Sequence, residues 1–257
     1  MNTKDEIVEN WLPRYTGTEL DEFGQYILLT NFKNYVELFA KRFDVPIKGK
    51  NGAMQTATNG EITIINFGMG SAMAATVMDL LSAIMPKAVL FLGKCGGLKA
   101  QNQLGDLILP IAAIRGEGAS DDYMPSEVPA LPSFRLQRAI SHVIKAKGLD
   151  YWTGTVFTTN RRVWEHDEEF KDYLRAIRAS AIDMETATLF TVGFSNKIPR
   201  GALLLVSDNP MVPEGVKTSK SDRKVTTQYV ENHLDIGIDA LSELINSGES
   251  VKHMRFE

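Results

Sequence analysis

Ala88-Val89-Leu90-Phe91-Leu92-Gly93-Lys94-Cys95-Gly96-Gly97-Leu98, followed by a second turn signal at Gly105-Asp106, is the stretch on which the fold depends. Five apolar residues without polar alternation describe a strand covered on both faces. The glycine cluster behind them marks an abrupt exit into a tight loop. Glycine tolerates positive φ and lets a ligand come close to the backbone. In an open α/β sheet, the carboxyl end of such a strand is where ligands bind. A packed strand-to-turn junction without chemistry would satisfy the same residues, so its surroundings have to decide.

Outward from this stretch, further short apolar runs read as buried strands at 26–29, 62–67, 106–114, 153–157, 181–182 and 202–207, beside 88–92 itself. Between them lie helical patterns at 34–43, 72–85 (ending before Pro86), 133–147 with Ser133 as N-cap, 185–194, and 227–246 with Gly248 as a stop signal. Residues 125–132 read as a surface loop and 210–224 as a mobile polar one. Strands alternating with helices predict an α/β fold whose mixed or mostly parallel sheet is flanked by helices on both faces. The 257 residues, 44% hydrophobic and 23% charged, with no repeat or linker, predict a single domain over 1–257.

A net charge of -4 argues against a nucleic-acid or membrane-surface binder, because either needs a basic face. A small anionic ligand needs only a local cluster of cations. Cys95 is the single cysteine, which excludes an intrachain disulfide and points to a reducing, cytoplasmic compartment. No Cys/His spacing suits zinc, and Cys95 reads as a small buried hydrophobe rather than a nucleophile. The first thirteen residues carry Lys4, Asp5, Glu6 and Glu9 and do not read as a signal peptide. No stretch has the length of a membrane span.

Three segments hold residues suited to chemistry. Asp208 ends the run Ala202-Leu203-Leu204-Leu205-Val206-Ser207, so its carboxyl sits at the mouth of a buried strand, where burial raises a pKa toward general-acid work. A turn-capping aspartate would look the same. In Ala181-Ile182-Asp183-Met184-Glu185-Thr186, a strand end meets a helix start. There Glu185 suits vicinal hydroxyls and Met184 the face of a sugar, while Asp183 reads as an N-cap. Phe67-Gly68-Met69-Gly70-Ser71 opens a helix, and its backbone N–H groups favour an anion. This is not the full dinucleotide fingerprint. Among the basic residues near these loops (Lys33, Lys94, Arg115, Arg161, Arg162, Lys217, Lys220 and Arg223), Lys94 and Arg115 stand out because each directly follows an apolar strand. Phe157 and Trp164 flank the 158–162 loop, where either could stack on a base; for Phe157 the core is the default.

Together these segments resemble the nucleoside phosphorylase/nucleosidase superfamily, and within it the AMP nucleosidases. The resemblance covers nearly the whole chain. It rests on Arg14-Tyr15-Thr16-Gly17-Thr18, Tyr26-Ile27-Leu28-Leu29-Thr30-Asn31-Phe32 and Phe67-Gly68-Met69-Gly70-Ser71, then on Gly93-Lys94-Cys95-Gly96-Gly97-Leu98 and Thr153-Gly154-Thr155-Val156. It continues through Ala181-Ile182-Asp183-Met184-Glu185-Thr186-Ala187-Thr188, Val206-Ser207-Asp208-Asn209-Pro210 and His233-Leu234-Asp235-Ile236-Gly237-Ile238.

The resemblance implies a phosphorylase/hydrolase-like mixed sheet, partly barrel-like, and a homo-oligomer, with hexamers favoured. It implies that Glu185 binds the ribose hydroxyls with Met184 and Met69 against the sugar. Asp208 would protonate N7 of a purine, and Asn31, Gly70, Gly93, Phe157, Asp183 and Ser207 would contribute to the pocket. No metal or other cofactor is implied. Phosphorylases of this type place an arginine where this chain has Phe91. Their early Gly-Asp-x-x-Arg loop is replaced here by Thr30-Asn31-Phe32-Lys33-Asn34. Losing both arginines removes charge-assisted bonds to orthophosphate, worth about 1.5–3 kcal/mol each, and favours water as nucleophile. Lys94 and Arg115, with Lys33, Lys217 and Lys220 behind them, are then left for the 5′-phosphate of AMP. Asn31, Glu117 and Asp183 are candidates to position the water. The alternatives are a phosphate-dependent purine nucleoside phosphorylase, a nucleosidase for unphosphorylated thio-nucleosides, and a non-catalytic nucleotide-binding module on the same fold.

Overall fold

The computed structural model describes residues 3–247. In chain order the elements are α1 (Lys4–Thr16), β1 (Tyr26–Thr30), α2 (Lys33–Phe43), β2 (Gln55–Thr58), β3 (Ile62–Asn66), α3 (Ser71–Leu80), β4 (Ala88–Gly97), β5 (Leu107–Gly116), α4 (Phe134–Ala146), β6 (Trp152–Thr159), α5 (Glu168–Ala176), β7 (Ala181–Asp183), α6 (Thr186–Ser195), β8 (Arg200–Asp208), α7 (Ser219–Gln228) and α8 (Val230–Ser247). The expected stop at Gly248 lies outside the described residues. None of the described helices is long and apolar enough to cross a membrane.

The strands form one mixed sheet in the order β2-β3-β1-β4-β7-β6-β5-β8, and β4 also pairs with β8. That extra pairing closes β4, β7, β6, β5 and β8 into a ring, leaving β1, β3 and β2 as an open extension. Strand β4 makes both possible. Its first half, Ala88 to Leu92, is bonded to β1, its far end at Gly96 and Gly97 pairs with β7, and β8 runs along its other side throughout.

This corrects the expectation that the chain leaves the sheet at Gly93. Gly93, Gly96 and Gly97 lie inside the strand, and none of them has positive φ. They are glycines for lack of room. A Cβ on Gly97 would lie 2.7 Å from Asn102 Cβ, and one on Gly96 3.1 Å from Ile182 Cγ2. On Gly93 it would strike the Phe91 ring at 2.4 Å.

Apolar side chains alternate between two cores, one on each face. Leu28, Leu90, Leu92, Leu203 and Leu205 pack with α2, α4 and α8. Ile27, Leu29, Phe91, Leu204 and Val206 pack with α1, α3 and α6. A third cluster, with Phe157, Trp164, Leu174 and Ile182, sits under α5. Two local expectations change. Ser133 does not cap α4 through its side chain; its Oγ instead accepts the Arg200 N–H at 3.1 Å, tying the helix start to β8. The region 210–224 is not all loop, because α7 begins within it behind a capping box in which Thr218 Oγ1 accepts the Ser221 N–H.

Candidate functional site

The carboxyl ends of β1, β4, β6, β7 and β8 converge on one open cleft. The lining takes Asn31 just past β1, Lys94, Cys95 and Gly96 from β4, Thr159 from the end of β6, Asp183 from the end of β7, and Ser207 and Asp208 from the end of β8.

Glu185 projects from the β7–α6 junction and is 2% exposed. The Gly70 N–H donates to its Oε1 at 2.7 Å. Gly70 has φ +93°, a conformation that glycine adopts without a steric cost and that places this N–H at the start of α3. The anion expected at the Gly68-Met69-Gly70 turn is therefore the protein's own carboxylate. Ser71 Oγ, donating to the Met184 carbonyl at 2.7 Å, fastens the two segments. Burial, and then the charge of Asp183, push the Glu185 pKa from 4.5 up to about 7 against the hydrogen bonds of Gly70, Met184 and Asn31.

Asp183 is engaged on both oxygens. Thr158 Oγ1 donates to Oδ1 at 2.7 Å, while the Thr186 N–H and Oγ1 donate to Oδ2 at 2.8 and 2.5 Å. It thus clasps β6 to the first turn of α6, and burial holds its pKa above the ordinary value.

Asp208 closes β8 at 8% exposure. Ser207 Oγ donates to its Oδ1 at 2.8 Å, and Lys217 Nζ lies 3.4 Å from that same hydroxyl. Burial raises the Asp208 pKa, with the Ser207 hydrogen bond and the Lys217 charge pulling the other way. Cys95, in the wall between Lys94 and Gly96, is buried among apolar neighbours, and burial lifts its thiol pKa well above its ordinary value. A thiol so placed is packing, not a nucleophile.

The lining also takes in Asn31, Met69, Met184, Lys94 and Lys217, together with Phe32, Thr159, Arg161, Arg162, Trp164 and Glu165. Lys94 Nζ stands 4.6 Å over the Phe32 ring. Arg161 pairs with Asp167 at 2.9 Å and Arg162 with Glu165 at 3.3 Å.

Seven residues expected at the pocket are placed elsewhere or act indirectly. Arg115 leaves β5 on the side away from the cavity. Its guanidinium donates to Ser120 Oγ, to Asp121, and to the carbonyls of Met124, Pro125 and Val128, so it organises the 117–128 loop and has nothing left for a phosphate. Phe157 belongs to the core, edge-on to Phe170 and Tyr173, so of the two aromatics flanking the 158–162 loop only Trp164 reaches the lining. Gly93 is a packing position inside β4, and Gly70 acts through its bond to Glu185. Lys33 and Lys220 are outside the lining, as is Glu117, which accepts from Ser120 N–H and Thr188 Oγ1.

Comparison with known proteins agrees with this architecture. Residues 16–243 match the family profile described as "Phosphorylase superfamily". The AMP nucleosidase of Escherichia coli K12 is 29% identical over 284 residues, covering 93% of this chain and 58% of the relative, so the chain spans about three fifths of that protein's length. The uridine phosphorylase of Treponema pallidum is 24% identical over 90% of this chain and 93% of its own. Among solved structures, AMP nucleosidase from Bacteroides thetaiotaomicron superposes with a TM-score of 0.87 at 60% identity, covering 96% of this chain and 99% of the other. Purine nucleoside phosphorylase from Toxoplasma gondii, at 18% identity and a TM-score of 0.80, covers 90% of this chain and 95% of its own, and shares the fold. By its profile match and its near-complete alignment with these proteins, the chain belongs to the phosphorylase superfamily.

Proposed function

We propose that this protein hydrolyses the N-glycosidic bond of AMP, releasing adenine and ribose 5-phosphate. The observation that carries this is the pair of buried carboxyl groups, Glu185 and Asp208, set in one cavity and each held above its ordinary pKa by burial. Cleavage passes through an oxocarbenium-like state, in which the base departs with the bonding electrons and positive charge builds on the sugar. Asp208, whose pKa burial raises, gives a proton to N7 and turns adenine into a neutral leaving group. Ionised Glu185, fixed by the Gly70 N–H, accepts the ribose hydroxyls and favours the developing positive charge. Met69 and Met184 flank the sugar, Trp164 the base, and Lys94 and Lys217 the 5′-phosphate.

Water as the nucleophile is supported by Phe91. It is buried in β4 with its ring 5.8 Å from that of Phe67, so no cation stands there to hold orthophosphate. The 60%-identical structure of an AMP nucleosidase supports the same substrate. A phosphate-dependent phosphorylase is the second reading, favoured by the four cations of the lining and by the phosphorylase relatives.

Incubation with AMP, adenosine and inosine, with and without phosphate, separates the two. Adenine release from AMP without phosphate, with little from adenosine, is expected. Phosphate-dependent release of hypoxanthine from inosine would establish the phosphorylase instead.

A further inference from the structure

Two of the cavity's cations converge on a single carboxylate oxygen supplied by a different element. Asp222 Oδ1, in the first turn of α7, lies 3.3 Å from Lys94 Nζ and 3.1 Å from Lys217 Nζ. One turn further along α7, Thr226 Oγ1 is 3.0 Å from the same Lys94 ammonium. The Lys94 side chain is 4% exposed and that of Asp222 44%. Lysines 94 and 217 line the cavity, whereas Asp222 stands behind them.

Two ammonium groups gathered in a part-buried site repel; burial first, and then the charge of Lys217, hold the Lys94 pKa below its ordinary value against the pull of Asp222. A single carboxylate leaves the trio with one net positive charge. A phosphate monoester dianion would neutralise both lysines. With Asp222 still in place, however, three negative charges would face two positive ones. The carboxylate and the phosphate therefore compete for one pair of cations. Only the carboxylate can give way cheaply: it is half exposed, and rotation about its own side-chain bonds returns it to water without unwinding α7.

We propose that Asp222 is a specificity-determining residue, an internal counter-ion that holds Lys94 and Lys217 in the empty site and is displaced by the phosphate monoester of the substrate. This rests on the reading that these lysines hold a substrate phosphate. The arrangement favours dianionic phosphoesters, because a neutral nucleoside brings no charge with which to displace the carboxylate. It also spares the empty enzyme an uncompensated pair of cations in a part-buried site.

Calorimetric titration of the wild-type site, Asp222→Asn, Asp222→Glu and Lys94→Met, each carrying Asp208→Asn to suppress turnover, with inorganic phosphate, AMP and adenosine tests this. Asp222→Asn is expected to bind phosphate and AMP about tenfold tighter, as befits loss of a competing charge at this distance, with adenosine affinity unchanged. Asp222→Glu should resemble wild type. Unchanged or weaker phosphate and AMP binding by Asp222→Asn would overturn the proposal and make Asp222 a holder of the lysines. If Lys94→Met binds AMP as wild type does, the phosphate assignment itself fails, and the proposal with it. If Lys94→Met loses AMP while Asp222→Asn gains nothing, the phosphate assignment stands and the competition is refuted.

Discussion

Asp208 and Glu185 are shifted in the same direction by the same cause, yet the chemistry asks opposite things of them. Burial raises both pKa values, and for Asp208 this direction favours the proton that the proposed chemistry passes to the departing base. For Glu185 the shift works against its task, because only the carboxylate accepts two sugar hydroxyls. With its pKa at about 7, kcat/KM for AMP should rise with pH through that region as Glu185 ionises. A pH–rate profile that stays flat between pH 5.5 and 8.5 would contradict this role. Asp208→Asn keeps size and hydrogen-bonding capacity while removing the proton donor. It should lower kcat by roughly 10²–10⁴ and leave the affinity for AMP within a few-fold of wild type. A non-catalytic binding module would show no turnover to lose. Arg115 carries the opposite expectation. Its guanidinium is spent on the 117–128 loop, so Arg115→Ala should cost about 2–4 kcal/mol of stability and leave KM for AMP unchanged. A selective rise in KM would return Arg115 to the phosphate.

At the scale of elements, β4 decides the site, and its glycines are where substitution tells most. Gly97→Ala forces a Cβ against Asn102 and should destabilise the fold by about 1–3 kcal/mol, measurable by denaturant titration. Gly60, with positive φ but nothing near its absent Cβ, marks the contrast between strain and crowding. Most strands were legible within a residue or two, because a buried strand shows as an unbroken apolar run. The continuation of β4 was not. Glycine clusters also mark loops, and only the packed neighbours Ile182 and Asn102 reveal why these stay extended. Strand β2 escaped notice because it is a short edge strand, Gln55-Thr56-Ala57-Thr58, with little apolar content. Helices α1, α5 and α7 are largely polar and bury few residues, so no apolar content singles them out. The candidate site was legible where an apolar run stops: Asp208 ends β8, Glu185 lies two residues past β7, and Lys94 follows the apolar half of β4 although the strand runs on. Arg115 misled because a strand end says that a side chain leaves the sheet, not to which side. Trp164 was noted, but Glu165 beside it was not; following β6 past Thr159 by the same strand-end rule would have found it.

For the molecule as a whole, the ring of five strands and the open extension share β4, and the cavity lies where they meet. That placement buries acids and lowers stability as pH rises. The folded-state pKa of Glu185 is raised above 4.5 to about 7, so its contribution is fully present below pH 4.5 and is lost as pH climbs through 7. Glu185→Gln keeps an acceptor for the Gly70 N–H without the charge. Its Tm relative to wild type should therefore increase between pH 5 and pH 8, and a constant difference across that range would contradict the assigned shift. The central claim is that water, not phosphate, attacks the sugar of AMP. Phosphorus NMR of the products formed from AMP in saturating inorganic phosphate tests it most directly. The account predicts ribose 5-phosphate with the inorganic phosphate signal undiminished; accumulation of ribose 1,5-bisphosphate would contradict it.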